Sequence, residues 1–137
     1  MTRRVLAFGV FDGLHPGHLA FLRQAKRLGG TLVVVVTRDA VVLREKGKHT
    51  LLTERERVEL VRAVRMVDSA VLGDPPERYF SVIRRLRPAV IALGYDQRCD
   101  LPAFRATLAS LGLSGTRVVR CRARQGHRLH HRLLRAV

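Results

Sequence analysis

The feature that most constrains this chain is a series of short apolar runs, each separated from the next by a stretch with helical spacing. Val5 to Val10 is apolar at every position except Gly9. A strand wetted on one face alternates apolar with polar residues, whereas an unbroken run describes a strand covered on both faces, as in a parallel sheet. Thr31 to Thr37 is almost wholly β-branched, and Ser69 to Leu72, Ala89 to Leu93 and Thr116 to Cys121 are further short runs. Between them, Leu19, Leu22, Ala25 and Leu28 recur at helical spacing over His18 to Leu28, and Gly29-Gly30 ends that helix. Thr53 and Glu56 form a capping box before a helix whose buried face is Val58, Leu60, Val61, Val64 and Met66. Glu77 to Leu86 is a third helix, packing through Phe80, Ile83 and Leu86 and stopped by Pro88. Pro102 to Leu111 is a fourth. Strands alternating with helices mean parallel pairing and right-handed crossovers. The expected architecture is α/β, a doubly wound five-stranded parallel sheet of order 3-2-1-4-5.

With 137 residues, of which 47% are hydrophobic, the chain suffices for one domain over residues 1–137. The longest apolar runs, Leu32 to Val36 and Ala89 to Leu93, are far too short to cross a bilayer. No basic segment followed by an apolar stretch and a cleavage site opens the chain, so a soluble, cytoplasmic protein is expected. Cys99 and Cys121 form no CxxC pair and are read as reduced thiols. The net charge is +15, from 26 Lys and Arg against 11 Asp and Glu. Such a field attracts polyanions. Aromatic residues are only 5% and Trp is absent, which argues against a base-stacking platform and against nucleic acid as the partner.

The first strand hands over to the first helix through Asp12-Gly13-Leu14-His15-Pro16-Gly17-His18. Two imidazoles therefore sit at a helix N-terminus, where unpaired N–H groups and the positive dipole end attract phosphate. Gly17 leaves room for close approach of a ligand. In the expected strand order the switch point lies between strands one and four, beside His15, His18 and Asp96. Gly9, Gly13 and Gly17 are spaced four apart, so no dinucleotide fingerprint is present, and Gly47-Lys48-His49 is not a Walker loop. Gln125 to Val137 reads as a basic helix carrying Leu129, Leu133 and Leu134. His127, His130 and His131 could share one of its faces, but no carboxylate or thiol completes a metal set, so a solvated tail is the better reading.

His15-Pro16-Gly17-His18 after Gly9-Val10-Phe11-Asp12-Gly13 resembles the HxGH signature of the nucleotidyltransferase superfamily that includes the cytidylyltransferases, which have Rossmann-like domains. Arg38-Asp39, Lys46-Gly47-Lys48, Val67 to Asp74 and Ile91 to Gln97 resemble the archaeal-type FAD synthases. The resemblance implies transfer of AMP from ATP to FMN, giving FAD and pyrophosphate, by in-line attack of the FMN phosphate on the α-phosphate. Glycerol-3-phosphate cytidylyltransferase and phosphosugar adenylyltransferase are alternatives of the same superfamily. A weakly active relative that binds nucleotide or RNA through its charge is a third.

His15 and His18 would donate N–H bonds to the phosphoryl oxygens, with no need to act as nucleophile or proton carrier. Lys46, expected on a mobile-looking loop over Arg44 to Thr50, is placed like the superfamily's phosphate-gripping lysine; a solvated loop charge is the other reading. The resemblance implies that the nucleotide is met by Val10, Phe11, Pro16, Gly17 and Asp96. On the residues alone Asp96 equally caps a turn. Mg²⁺ is expected on the triphosphate, held by phosphate and water, with Asp12 either assisting or serving as a plain turn former. Arg57 either reaches the site or makes a surface ion pair.

Two departures from the family stand out. Val10 replaces a small hydroxyl residue, and Ala123 to Arg128 replaces a Ser/Thr-rich turn that grips triphosphate. Either Arg124, His127 and Arg128 bind the same phosphates by charge, or the site and its acceptor have changed. The resemblance also implies a homodimer.

Overall fold

The apolar runs become strands and pair as their patterning demands. In the computed structural model, which describes residues 2–78 and 80–124, β1 (Arg3–Gly9) lies at the centre of the sheet, paired in parallel with β2 (Gly30–Val36) over seven positions and with β4 (Val90–Leu93) over three. β3 (Ser69–Leu72) borders β2, and β5 (Arg117–Arg120) borders β4. The order β3-β2-β1-β4-β5 is the one expected, with every pair parallel. The expected tail helix over Gln125–Val137, and with it His127, Arg128, His130 and His131, lies outside the described residues.

Two apolar layers cover the sheet because alternate residues of each strand face opposite ways. On one face, Val5 and Ala7 of β1 and Val34 and Val36 of β2 pack with Leu22 and Ala25 of α1 (Pro16–Arg27) and with Val58 and Val61 of α3 (Glu54–Arg62). On the other, Leu6, Val33 and Ile91 pack with Ile83 of α4 (Ser81–Leu86) and Leu108 of α5 (Leu101–Ser110). Each valine, leucine or isoleucine among them, taken wholly out of water, contributes about 1.5–3 kcal/mol.

Three expectations are corrected. Residues 39–46 form a helix, α2 (Asp39–Lys46), so Lys46 ends a helix and does not sit on a loop. Only Val42 of α2 is buried, which explains the absence of an amphipathic pattern. Its N-terminus is capped from a distance: the Asp39 N–H donates to Glu54 Oε1 and the Glu54 N–H donates to Asp39 Oδ2, so two helix starts cap each other. Leu60 is exposed; the buried residues of α3 are Arg57, Val58 and Val61. The third helix begins at Ser81 and not at Glu77, because Pro75-Pro76 holds the chain in a turn and the Asp74 carboxylate accepts the Val82 N–H. Cys99 and Cys121 are free thiols, Cys121 buried. No helix among the described residues is long and apolar enough to cross a membrane.

Candidate active site

The spacing of the two histidines is that of a capping box. His15 occupies the N-cap of α1 in an extended conformation, and its Nδ1 accepts the Gly17 N–H at 3.0 Å. His18, three residues on, returns the bond: its Nδ1 accepts the His15 N–H at 3.2 Å. This is the reciprocal arrangement usually made by Ser or Thr with Glu, which satisfies two of the helix's orphan donors. Here it has a chemical consequence. A ring nitrogen that accepts a main-chain N–H carries no hydrogen, so in each neutral ring the hydrogen sits on Nε2. The rings stack with centroids 3.8 Å apart and planes at 29°. Two N–H donors of fixed tautomer therefore stand together at the positive end of a helix.

Phe11 supports this pair from below. It is a non-glycine residue at φ 54, in the left-handed region, and its ring is buried beside His18 at a centroid distance of 5.3 Å. The ring also crosses Gly9 so closely that a Cβ there would lie 2.6 Å from it. Gly9 is thus required by the ring of Phe11. Backbone held in this region costs of order 1–3 kcal/mol and persists where its surroundings impose it, often at functional sites.

The histidines open onto a cleft of about 810 Å³ over the C-terminal ends of β1 and β4, as the strand order requires. Val10, Phe11, His15, Gly17, His18, Lys46, Asp96 and Arg124 all line it. Lys46 enters from the β2 side and Arg124 from beyond β5. Pro16 is at the first turn of α1 without lining the cleft, and His127 is outside the described residues. The cleft is also lined by Tyr95, within the Ile91 to Gln97 stretch, and by Phe21, Arg98 and Arg122, which the sequence reading did not single out.

Asp12 is absent from the cleft wall. Its two oxygens accept the N–H groups of Leu51 at 2.8 Å and Leu52 at 2.9 Å, binding the loop that precedes α3 to the His15 turn. Among the described residues no group of three or more His, Cys, Asp or Glu could hold a metal ion.

Arg57 is neither on the surface nor in the cleft. It is wholly buried, and its guanidinium donates to the carbonyls of Val10 at 2.8 Å, Thr37 at 2.7 Å and Leu52 at 3.3 Å and to Asp39 Oδ1 at 2.6 Å. One cation thus joins the residues that follow β1 and β2, the start of α2 and the loop held by Asp12. Partial burial works to raise the Asp39 carboxyl, but the bonds from Arg57, the Glu54 N–H and the Thr50 hydroxyl outweigh it and hold the pKa below its usual 3.8.

Beyond β4, the Gly94–Gln97 loop is fixed by side chains that return to the main chain. Gln97 Oε1 accepts the Gly94 N–H at 2.6 Å and Gln97 Nε2 donates to the Phe8 carbonyl at 3.0 Å, which spans the switch point. Asp96 is thereby held in the cleft wall. The arrangement offers fixed donors at a helix start, flanking cations and a carboxylate around a cavity large enough for a nucleotide. It is suited to holding a polyphosphate while charge moves between phosphoryl oxygens.

Comparison with known proteins agrees with this geometry. Residues 6–122 match the family model described as cytidylyltransferase-like. The chain is 46% identical over 122 residues to an FAD synthase from Archaeoglobus profundus, covering 89% of this chain and 76% of that one. It is 44% identical over 110 residues to an FAD synthase from Pyrococcus abyssi, covering 80% of this chain and 74% of that one. Among solved structures, the lipopolysaccharide core biosynthesis protein from Thermoplasma volcanium GSS1 superposes with a TM-score of 0.84 at 36% identity, covering 90% of this chain and 99% of that chain. A pantoate-beta-alanine ligase from Francisella tularensis shares the fold alone, at 12% identity and a TM-score of 0.58. The stacked histidine cap, the switch-point cleft and a family match that spans both lead to one conclusion: this chain belongs to the cytidylyltransferase-like family.

Proposed function

We propose that the protein transfers AMP from ATP to FMN, producing FAD and pyrophosphate. The observation that carries this reading is the reciprocal His15–His18 cap at the wall of a cleft into which Lys46 and Arg124 reach from its two sides. The names and identities of the archaeal relatives support ATP and FMN as the substrate pair.

An oxygen of the FMN phosphate attacks the α-phosphorus in line. A new oxygen–phosphorus bond forms as the bond to the β-phosphate bridging oxygen breaks, and pyrophosphate leaves with that electron pair. Little covalent work falls to the protein; positioning and charge neutralisation carry the catalysis. The two Nε2–H groups donate to the oxygens of the α-phosphoryl group, and neither histidine moves a proton. Lys46 and Arg124 neutralise the departing pyrophosphate, and Asp96 contacts the nucleotide. Mg²⁺ enters bound to ATP as part of the substrate, since Asp12 is committed to the loop before α3. The family resemblance further implies a cytoplasmic homodimer, which light scattering on the purified protein tests for the assembly.

Incubation with MgATP and FMN should yield FAD and pyrophosphate in equal amounts. Absence of FAD, or turnover only with CTP and a phosphorylated alcohol, would defeat this reading and favour another transferase of the same superfamily.

A further inference from the structure

The chain leaving β5 carries arginine at every second position: Arg120, Cys121, Arg122, Ala123, Arg124. In extended chain, alternate residues face the same way. The structure bears this out. Cys121 is buried in the core, whereas Arg122 and Arg124 both line the cleft. Arg120 reaches back to the loop that bears Asp96, donating to the carbonyls of Gly94 at 2.9 Å and Gln97 at 2.7 Å. Among the described residues neither Arg122 nor Arg124 joins an ion pair.

The register of this strip is fixed from α1. Gln24 Nε2 donates to the Arg122 carbonyl at 2.9 Å, and Gln24 Oε1 accepts the Arg122 N–H at 2.8 Å. Together these two bonds grip the main chain of residue 122 as a neighbouring strand would. They continue the pairing one residue past the Cys121 N–H, which donates to Leu93. Gln24 lies on the helix whose first turn holds His15 and His18. It stands about 9 Å along the axis from His18, six residues at 1.5 Å rise. One rigid helix therefore sets both the histidine donors and the position of Arg122 relative to them.

We propose that Arg122 is a phosphate-binding residue of the cleft, that Arg122 and Arg124 form adjacent rungs of a polyphosphate-binding strip, and that Gln24 is the positioning residue that holds the strip in register with the histidines. The ligand class is a nucleoside triphosphate or inorganic pyrophosphate. The proposal rests on the reading of the cleft as a nucleotidyltransferase site, but not on FMN as the acceptor. It also accounts chemically for the lack of hydroxyl side chains over Ala123–Arg128, because guanidinium groups bind phosphate oxygens by charge and by paired hydrogen bonds.

The test measures binding of MgATP and of pyrophosphate by calorimetry, and kcat and KM for ATP, in the full chain. Arg122→Gln changes an exposed side chain and should fold normally; it should weaken both ligands about tenfold and raise KM for ATP by more than it lowers kcat. Gln24→Leu, which deletes both bonds, should weaken them about fivefold, and Gln24→Glu, which keeps only the acceptor, should do so as well. In the double variant Gln24→Leu should add almost nothing to Arg122→Gln, since the two act as one unit. Unchanged ligand affinity in Arg122→Gln would overturn the strip. Full additivity in the double variant would overturn the register role of Gln24. A wild-type protein that binds MgATP and pyrophosphate but makes no FAD would sink the acceptor assignment and leave the strip standing.

Discussion

The two lips of the cleft are built by different means. On the β1–α1 lip, the histidines are held by bonds that span two and three residues, Gly17 N–H to His15 and His15 N–H to His18, and by their own ring stack. On the β4–β5 lip, the bonds join parts of the chain far apart in sequence. Gln97 reaches Phe8 across 89 residues and Gln24 reaches Arg122 across 98. The first lip is preorganised by a local motif that any helix start of this sequence would form. The second exists only once the sheet and both flanking helices are assembled. Chemistry that depends on donor placement thus sits on the locally determined lip. The substrate-gripping charges sit where tertiary packing can tune them.

Arg57 is the strongest point at which to break this contrast, because it binds the local lip to the rest of the fold. Arg57→Met leaves the half-exposed Asp39 carboxylate without its cation and strips donors from three carbonyls, and a buried acceptor left unsatisfied in this way costs about 1–3 kcal/mol. Urea unfolding should show that loss; a change below about 1 kcal/mol would mean that the guanidinium does not carry the junction.

His18→Ala addresses the local lip itself. Turnover should fall at least ~100-fold, the scale of losing one preorganised donor, while the far-ultraviolet circular dichroism stays that of the folded chain. A near-normal rate would remove His18 from the mechanism and leave the cap as a purely structural device.

Gly9→Ala sharpens the comparison by disturbing the floor beneath His18. The new Cβ would meet the Phe11 ring at 2.6 Å, and overpacking of a buried contact costs about 1–3 kcal/mol. A drop in thermal midpoint accompanied by slower turnover is expected; a drop in midpoint with unchanged kcat would show that the Phe11 ring does not position His18.

The smallest effect concerns acid. Asp39 has a lowered pKa for the reasons given above, and Asp68 is lowered by the hydrogen bond from Lys26 and by the Leu32 N–H. A carboxylate lowered in the folded state stabilises the protein fully above its unfolded pKa, and that contribution is lost as pH falls through the folded value. Stability should therefore be level near neutrality and decline below about pH 4, near the unfolded carboxylate values. Substituting Asp39→Asn should flatten part of that decline. An unaltered acid limb would show that Arg57 does not hold the Asp39 carboxyl below its ordinary range.

The same contrast explains what could be read from residues alone. Unbroken apolar runs such as Val5 to Val10 mark strands buried on both faces, and their alternation with helices points to the doubly wound order and its switch-point cleft. The His-Pro-Gly-His spacing is itself the capping geometry. Helix α2 was hidden because its cap, Glu54, lies fifteen residues past Asp39 and only Val42 faces the core. Arg57, within a Glu-Arg-Glu-Arg run, is compatible by sequence with reaching the site or with a surface ion pair; its burial arises from the convergence of Val10, Thr37, Leu52 and Asp39, which no local window contains. Gln24 gave no signal for the same reason, and Gln97 was legible only as part of the Ile91 to Gln97 resemblance, since an amide on a helix face or in a loop acquires its role only from the chain that packs against it.

The most direct measurement is a crystal structure with a nonhydrolysable ATP analogue in the cleft. The expected result is an α-phosphate within hydrogen-bond distance of Nε2 of both His15 and His18, with the β- and γ-phosphates running toward Lys46 and the arginines of the β5 edge. A triphosphate bound elsewhere, or imidazoles that donate to protein groups and leave the α-phosphate untouched, would contradict it.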